Sequence, residues 1–397
     1  MPRSRSLRAF YTFVFFWAFN PTRGLWILYL LHCRWSLLQV GFAEAGFHVV
    51  SFLSEVPTGI YADHRGRRKS LGVGLITQIV TTAATLVAAP KSVFLGCVSI
   101  SFSALAWAFI SGADQALLFD IVSQELRETS FGRVYGSVLA LNLAVGASST
   151  ALGGWLATRC GWTLPYAITV GSALCGLVPI YFLPGVKVRE GVPLRTGMAE
   201  SLGIALRTAR EIPGLRLWIG FGAGLATLVT INNLYAQSTL VLKGATLETT
   251  SLLVAFSGIA TALGSWLGGH LGGRRPVRLL SAGTAWLAMA VAAVGVLPLP
   301  ESGVGYLTAA GIDGALDPVY QSALNQVAPE AQRATILSLP GAGFSLGMIV
   351  LFPLAGWGMS AHHLKLVYGL LGMGLLFVAL GLMRGRREQI TALNKYP

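Results

Sequence analysis

Twelve times along this chain, apolar sequence runs for about the 20 residues that a helix needs to cross a hydrocarbon layer. The stretches lie at about 9–31, 37–61, 70–89, 92–123, 134–158, 162–183, 215–241, 246–271, 278–299, 302–327, 335–359 and 363–383. They take up most of the 397 residues, leaving no room for a soluble catalytic domain. Only 11% of the residues are charged and 54% are hydrophobic; soluble domains carry about 25% charged residues. Such a chain has no means of hiding its apolar surface in water. The expectation is an all-α integral membrane protein with twelve transmembrane helices, and not an enzyme. Arg3, Arg5 and Arg8 precede an apolar run of spanning length, so no cleavable signal peptide is expected.

The net charge of +13 invites a nucleic-acid partner, but its placement argues against one. With the N-terminus inside, 23 of the 29 Lys and Arg fall in cytoplasmic segments. Arg34, Lys91, Arg159, Lys243 and Lys365 fall outside, and Arg23 lies within the first stretch. That bias is the positive-inside rule for an even number of spans. It places both termini in the cytoplasm, in a multi-pass protein of the cytoplasmic (inner) membrane, with the bilayer and not nucleic acid as partner.

Between the second and third stretches lies a tight basic loop, Pro57-Thr58-Gly59-Ile60-Tyr61-Ala62-Asp63-His64-Arg65-Gly66-Arg67-Arg68-Lys69. It resembles the loop between helices 2 and 3 of the major facilitator superfamily, Gly-x-x-x-Asp-x-x-Gly-Arg-Arg/Lys. Gly59, Asp63, Gly66, Arg67 and Arg68 match position for position. The lead-in Glu55, Pro57, Thr58, Gly59 is common in drug-exporter-like (drug:proton antiporter) branches. The resemblance implies two six-helix bundles working by alternating access, in which a loop arginine pairs with an acid at the end of helix 4. It carries that gating role to Asp63, Arg67 and Asp120, beside Glu55. The antiporter signature of helix 5, Gly-Pro-x-x-Gly-Gly, reads here Ser149-Thr150-Ala151-Leu152-Gly153-Gly154. The closing glycines remain while Ser and Thr replace Gly and Pro, which leaves uptake open beside export.

The polar interval Pro184 to Gly214 divides six helices from six, giving an N-terminal bundle at 1–183, a cytoplasmic linker at 184–214 and a C-terminal bundle at 215–397. The halves echo each other. Gly66-Arg67-Arg68 recurs as Gly273-Arg274-Arg275, Gly153-Gly154-Trp155 as Gly356-Trp357, and Gly112-Ala113-Asp114 as Gly311-Ile312-Asp313, with Asp317 as the alternative counterpart of Asp114 at an offset of 203. Internal repeats with a substrate site between them are a recurring transporter design. Gly264, Gly268 and Gly272 recur every four residues and mark a close-packed helix face.

Ionisable groups at bilayer depth cost at least about 2.5–3.5 kcal/mol each and need a reason. Arg23, Glu44, Asp114, Asp313 and Asp317 are the candidates for binding protons or substrate. Arg23 lies eleven residues before the turn near Arg34 and Glu44 ten after it, so on a helical hairpin they sit at nearly equal depth. A static ion pair and a titratable site are both open for them. The resemblance adds that helix 2 of Glu-x-Pro-Thr-Gly proteins often carries an early acid, where Glu44 stands. Asp313 and Asp317, one helical turn apart, repel each other, an arrangement suited to binding a proton. Asn20, Gln115, Asn232, Asn233 and Gln237 are candidates to line a polar cavity.

The cysteines and histidines show no metal-ligand spacing, and no phosphate-cradling Gly-x-x-x-x-Gly-Lys-Ser/Thr is present. Neither a metal nor another cofactor is expected. The reading is a monomeric secondary transporter, driven by protons and exporting a lipophilic or cationic small molecule. Proton-coupled uptake of a small solute, or flipping of a lipid or glycolipid, are the alternatives.

Overall fold

The computed structural model describes residues 5–125, 131–185, 207, 214–271, 276–327, 333–361 and 363–393. The expected linker therefore falls almost wholly outside the described residues, as do Gly272 and the repeated loop Gly273-Arg274-Arg275. All described elements are helices: α1 (Arg5–Ala18), α2 (Trp26–His32), α3 (Leu37–Arg65), α4 (Arg67–Ala88), α5 (Val93–Ile110), α6 (Ala113–Glu125), α7 (Phe131–Cys160), α8 (Thr163–Tyr181), α9 (Leu215–Leu242), α10 (Leu247–Leu271), α11 (Pro276–Val296), α12 (Glu301–Val327), α13 (Arg333–Ser360) and α14 (Leu364–Leu393).

These helices account for all twelve expected spans. Two spans are interrupted: the first is α1 plus α2, the fourth α5 plus α6. Among the described residues, ten spans are long and apolar enough to cross a membrane by length and composition alone. The first falls short because it is broken, and α12 because Glu301, Asp313 and Asp317 lower its apolar character.

Local signals start and stop the helices. Ser36 and Gln39 form a reciprocal capping box at the start of α3, each side chain accepting the other's backbone N–H. Ser92 accepts the Leu95 backbone N–H at the start of α5. Between α3 and α4 there is one residue, Gly66, at φ 93°. A side chain at that φ is disfavoured, so the glycine lets two spans meet in a one-residue corner.

Contacts divide the chain into two compact units, Met1–Pro193 with Leu247–Ala255, and Leu194–Thr246 with Phe256–Pro397. Within the first unit α5 packs on α3 and α4, α8 on α4, and α1 on α7 and α8. Within the second, α12 packs on α11, α14 on α11, and α9 on α13 and α14. The contact between α3 and α5 has its counterpart between α10 and α12, where a Cβ at Gly264 would fall on the Gly311 carbonyl and one at Gly268 on that of Ala315. The expected small-residue face thus brings two backbones together. Each unit repeats one packing scheme, as the echoing motifs suggested.

The core of the first unit gathers Phe10, Phe13, Leu71, Leu75, Ile110, Leu117 and Ile121, from α1, α4, α5 and α6. These side chains hold the broken helices against their neighbours.

Candidate functional site at the helix breaks

The first break has a clear chemical cause. Pro21 offers no backbone N–H, and the residue before a proline is steered away from helix. Asn20 then takes over the freed donors. Its Oδ1 accepts from the Thr22 backbone N–H (3.2 Å), the Arg23 backbone N–H (3.0 Å), the Thr22 hydroxyl (2.9 Å) and the Thr169 hydroxyl of α8 (3.3 Å). Asn20 is buried, and its side-chain oxygen serves this turn. The dipeptide Asn20-Pro21 is a turn signal that the continuous apolar pattern of 9–31 obscures.

The second break turns on Gly112, at φ 78°. Ser111 donates its N–H to the Trp107 carbonyl, closing α5, and Ala116 donates to the Gly112 carbonyl, opening α6. Asp114 falls in the first turn of α6, where its Oδ1 accepts the Gln115 backbone N–H at 2.7 Å. A carboxylate there complements the positive end of the helix dipole. Gln115 reaches α7, donating its Nε2–H to the Tyr135 hydroxyl at 2.8 Å.

The two breaks meet. Trp17, near the end of α1, and Trp107, near the end of α5, pack edge to face with ring centroids 5.4 Å apart. The Arg23 guanidinium lies 4.6 Å from the Trp17 ring centroid and 4.7 Å from that of Trp107. It donates one N–H to the Trp17 carbonyl at 3.2 Å, capping the C-terminal end of α1.

Of the two readings left open for Arg23 and Glu44, an ion pair between them is not formed among the described residues. Equal depth assumed continuous helices, and the break moves Arg23 off the helical register. Glu44 lies 3.5 Å from His48, one turn further along α3, and both side chains are largely buried. Arg23 has no carboxylate within 4.0 Å among the described residues.

The corner at Gly66 reaches the far end of α6. Arg67 pairs with Asp120 and also donates to the Ala116 carbonyl at 3.0 Å. Arg68 donates to the Leu183 carbonyl at 3.3 Å and lies over the Tyr181 ring. Asp63 and Glu55 are exposed on the last turns of α3 and make no ion pair among the described residues. A Cβ at Gly59 would meet nothing, so packing there does not require glycine.

The second unit distributes its polar groups differently. Asp313 and Asp317 lie on the unbroken α12; Asp317 is exposed and accepts from Gln321 Nε2 at 3.3 Å. On α9, Asn232 donates to Asn233 Oδ1 at 3.4 Å. Asn232 Oδ1 and Gln237 Oε1 are buried with no hydrogen-bond donor. Such acceptors carry a desolvation cost of roughly 1–3 kcal/mol each. Between them Tyr235 is buried and donates to the Phe352 carbonyl at 3.0 Å.

Comparison with known proteins gives this geometry a setting. The sequence profile described as Major Facilitator Superfamily matches residues 6–312. YxaM of Bacillus subtilis (strain 168), described as an uncharacterized MFS-type transporter, is 33% identical over 76 residues, 17% of this chain and 19% of that one. The match thus spans a small part of that relative's length. Among solved structures, the nucleoside transporter NupG shares the fold with a TM-score of 0.74 at 12% identity, over 96% of this chain and 98% of that one. A bacterial homologue of the human lysosomal transporter Spinster, inward-facing and occupied, gives 0.74 at 16% identity over 96% of each chain. A D-xylose–proton symporter gives 0.67 at 14% identity over 95% of each.

Proposed function

We propose that this chain, which belongs to the major facilitator superfamily and is a multi-pass membrane transporter and not an enzyme, couples proton movement to the export of a lipophilic small molecule. It works by alternating access, as a monomer of the drug:proton antiporter type in the cytoplasmic membrane with both termini inside. The distribution of Lys and Arg supports that orientation.

One observation carries the reading. In the first unit two broken helices meet, with a guanidinium and two indoles at the first break and a carboxylate, Asp114, opening the half-helix after the second. Irregular backbone at membrane depth is tolerated where it is buried in protein or lines a water-filled cavity, and transporters place substrate and coupling ions at such points. Asp114, with Asp313 and Asp317 of the second bundle, supplies groups able to take and release a proton; Glu44 beside His48 is a further one. The buried acceptors Asn232 and Gln237, with Asn233 and Gln115, supply polar contacts for cargo. Arg67 and Asp120 form the inner latch, with Glu55, Gly59, Asp63, Gly66 and Arg68 shaping its loop.

Ser149 and Thr150, in place of the Gly-Pro of the antiporter signature, favour a second reading, proton-coupled uptake. The test is cargo-triggered proton movement by the purified protein in proteoliposomes, across naphthyl anions, cations and alcohols, sugars and lysolipids. Export coupling predicts proton entry as cargo leaves, lost in Asp114→Asn. Proton and cargo moving the same way supports uptake, and cargo movement without protons defeats both.

A further inference from the structure

Arg23 carries more hydrogen-bonding capacity than its surroundings use. A guanidinium has five N–H donors and no acceptor. One goes to the Trp17 carbonyl; the two indole faces attract the charge but accept no in-plane N–H bond. The side chain is half-buried, and none of its nitrogens is among the sealed, unpartnered atoms. The unused N–H groups are therefore not sealed off. Trp107, on one side, is 44% exposed, while Trp17 on the other is 6% exposed.

The energetics point the same way. An arginine at this depth costs about 2.5–3.5 kcal/mol or more, and each cation–π contact returns about 0.5–2 kcal/mol. No carboxylate within 4.0 Å completes the neutralisation among the described residues. Glu44, the acid that depth alone would assign to it, faces His48. A capping role for α1 explains one N–H and leaves the fork unexplained. The position is also constrained: Asn20 fixes the Arg23 backbone, and Thr169 anchors Asn20 to α8. The charge is held in place with no carboxylate beside it among the described residues.

We propose that Arg23 is an anion-binding site that takes the oxyanion head of an amphiphilic molecule, with Trp17 and Trp107 flanking its apolar or aromatic body. Planar oxyanions match the guanidinium fork with two parallel hydrogen bonds. This rests on the transport reading above and assigns its substrate class: the lipophilic cargo is an organic anion. A cationic head is repelled at this point. The same chemistry is offered by a free carboxylate and by an anionic lipid headgroup.

Binding is measured calorimetrically with the full-length protein in phosphatidylcholine nanodiscs, against empty discs, using 2-naphthoate, 2-naphthalenemethanol and 2-naphthylmethylammonium. Naphthoate is expected to bind at least tenfold more tightly than the other two. Arg23→Gln should weaken naphthoate at least tenfold and leave the alcohol within twofold. Arg23→Lys keeps the charge but not the fork and should fall between. It also serves where the Gln variant does not fold. Trp107→Leu should weaken all three probes. A second arm replaces part of the lipid with phosphatidylglycerol. Displacement of naphthoate from the wild type by that lipid makes a headgroup the occupant; no displacement makes it the free organic anion. Equal affinities for the three probes, or naphthoate affinity within twofold in both Arg23 variants, overturns the proposal unless phosphatidylglycerol retention falls at least tenfold in those variants. The binding arms need no gradient. Arg23-dependent binding without cargo-triggered proton movement therefore defeats proton coupling and spares the site, and coupled transport with Arg23-independent binding does the reverse.

Discussion

Asn20 and Arg23 sit three residues apart and use their hydrogen-bonding capacity in opposite ways. Asn20 spends its carbonyl oxygen on four donors, two backbone and two hydroxyl, and so makes a break in a membrane helix tolerable. Arg23 uses one donor and keeps the rest available. Removing the Asn20 side chain strands the Thr22 backbone N–H, while the Thr169 hydroxyl keeps the Pro165 carbonyl at 2.9 Å. Asn20→Ala is expected to lower stability by about 1–3 kcal/mol, read as a lower midpoint of thermal unfolding in detergent. Asn20→Asp keeps the acceptor and should lose less. Equal stability of Asn20→Ala and the wild type would show that the turn is held by other means.

At the scale of elements, α6 is the piece that joins chemistry to conformation. It starts at the second break with Asp114 and carries Ala116 and Asp120, both held by Arg67. Asp114 and Asp120 are six residues apart, about 9 Å along the axis, so one short helix links a candidate proton site to the proposed inner latch. The glycine face between α10 and α12 is the clearest packing device in the second unit. A Cβ at Gly268 would strike the Ala315 carbonyl, whereas one at the adjacent Gly269 meets nothing. Gly268→Ala should therefore destabilise the second unit, with reduced yield of folded protein and a lower unfolding midpoint. Gly269→Ala should be neutral or gain up to about 1 kcal/mol from helix propensity. Equal behaviour of the two variants would remove backbone contact as the reason for the glycine spacing.

For the whole molecule, the Arg67–Asp120 pair is best understood as a bias between states. Its side chains are 31% and 22% exposed, and partly exposed pairs contribute only about 0–1 kcal/mol to stability. A pair that forms in one state and breaks in another needs only a small differential to shift populations. Asp120→Asn and Arg67→Gln are each expected to change the transport rate and the accessibility of cysteines placed along the inner ends of the helices. Equilibrium cargo affinity should hold within about threefold, an energy difference below 1 kcal/mol. In the double variant the effects should be less than additive. A large affinity loss with unchanged accessibility would make the pair part of the binding site.

How much of this was legible beforehand depends on which physical signal was local. The sequence by itself determined the class, because twelve apolar stretches with so few charges have no stable home in water. It also determined the repeat; the one-residue corner at Gly66, inside what reads as a longer basic loop, came from the structure. The breaks were written in Asn20-Pro21 and Ser111-Gly112, yet apolar composition is averaged over many residues and ran straight through both. What only the tertiary structure decided is who meets whom. Depth along a hairpin placed Arg23 level with Glu44 and left pairing open, but a break ends the regular rise and rotation on which that estimate depends. Arg23 instead lies between indoles from α1 and α5, residues 17 and 107 of the chain. Cation–π contacts so far apart in sequence arise from helix packing, which no local pattern encodes.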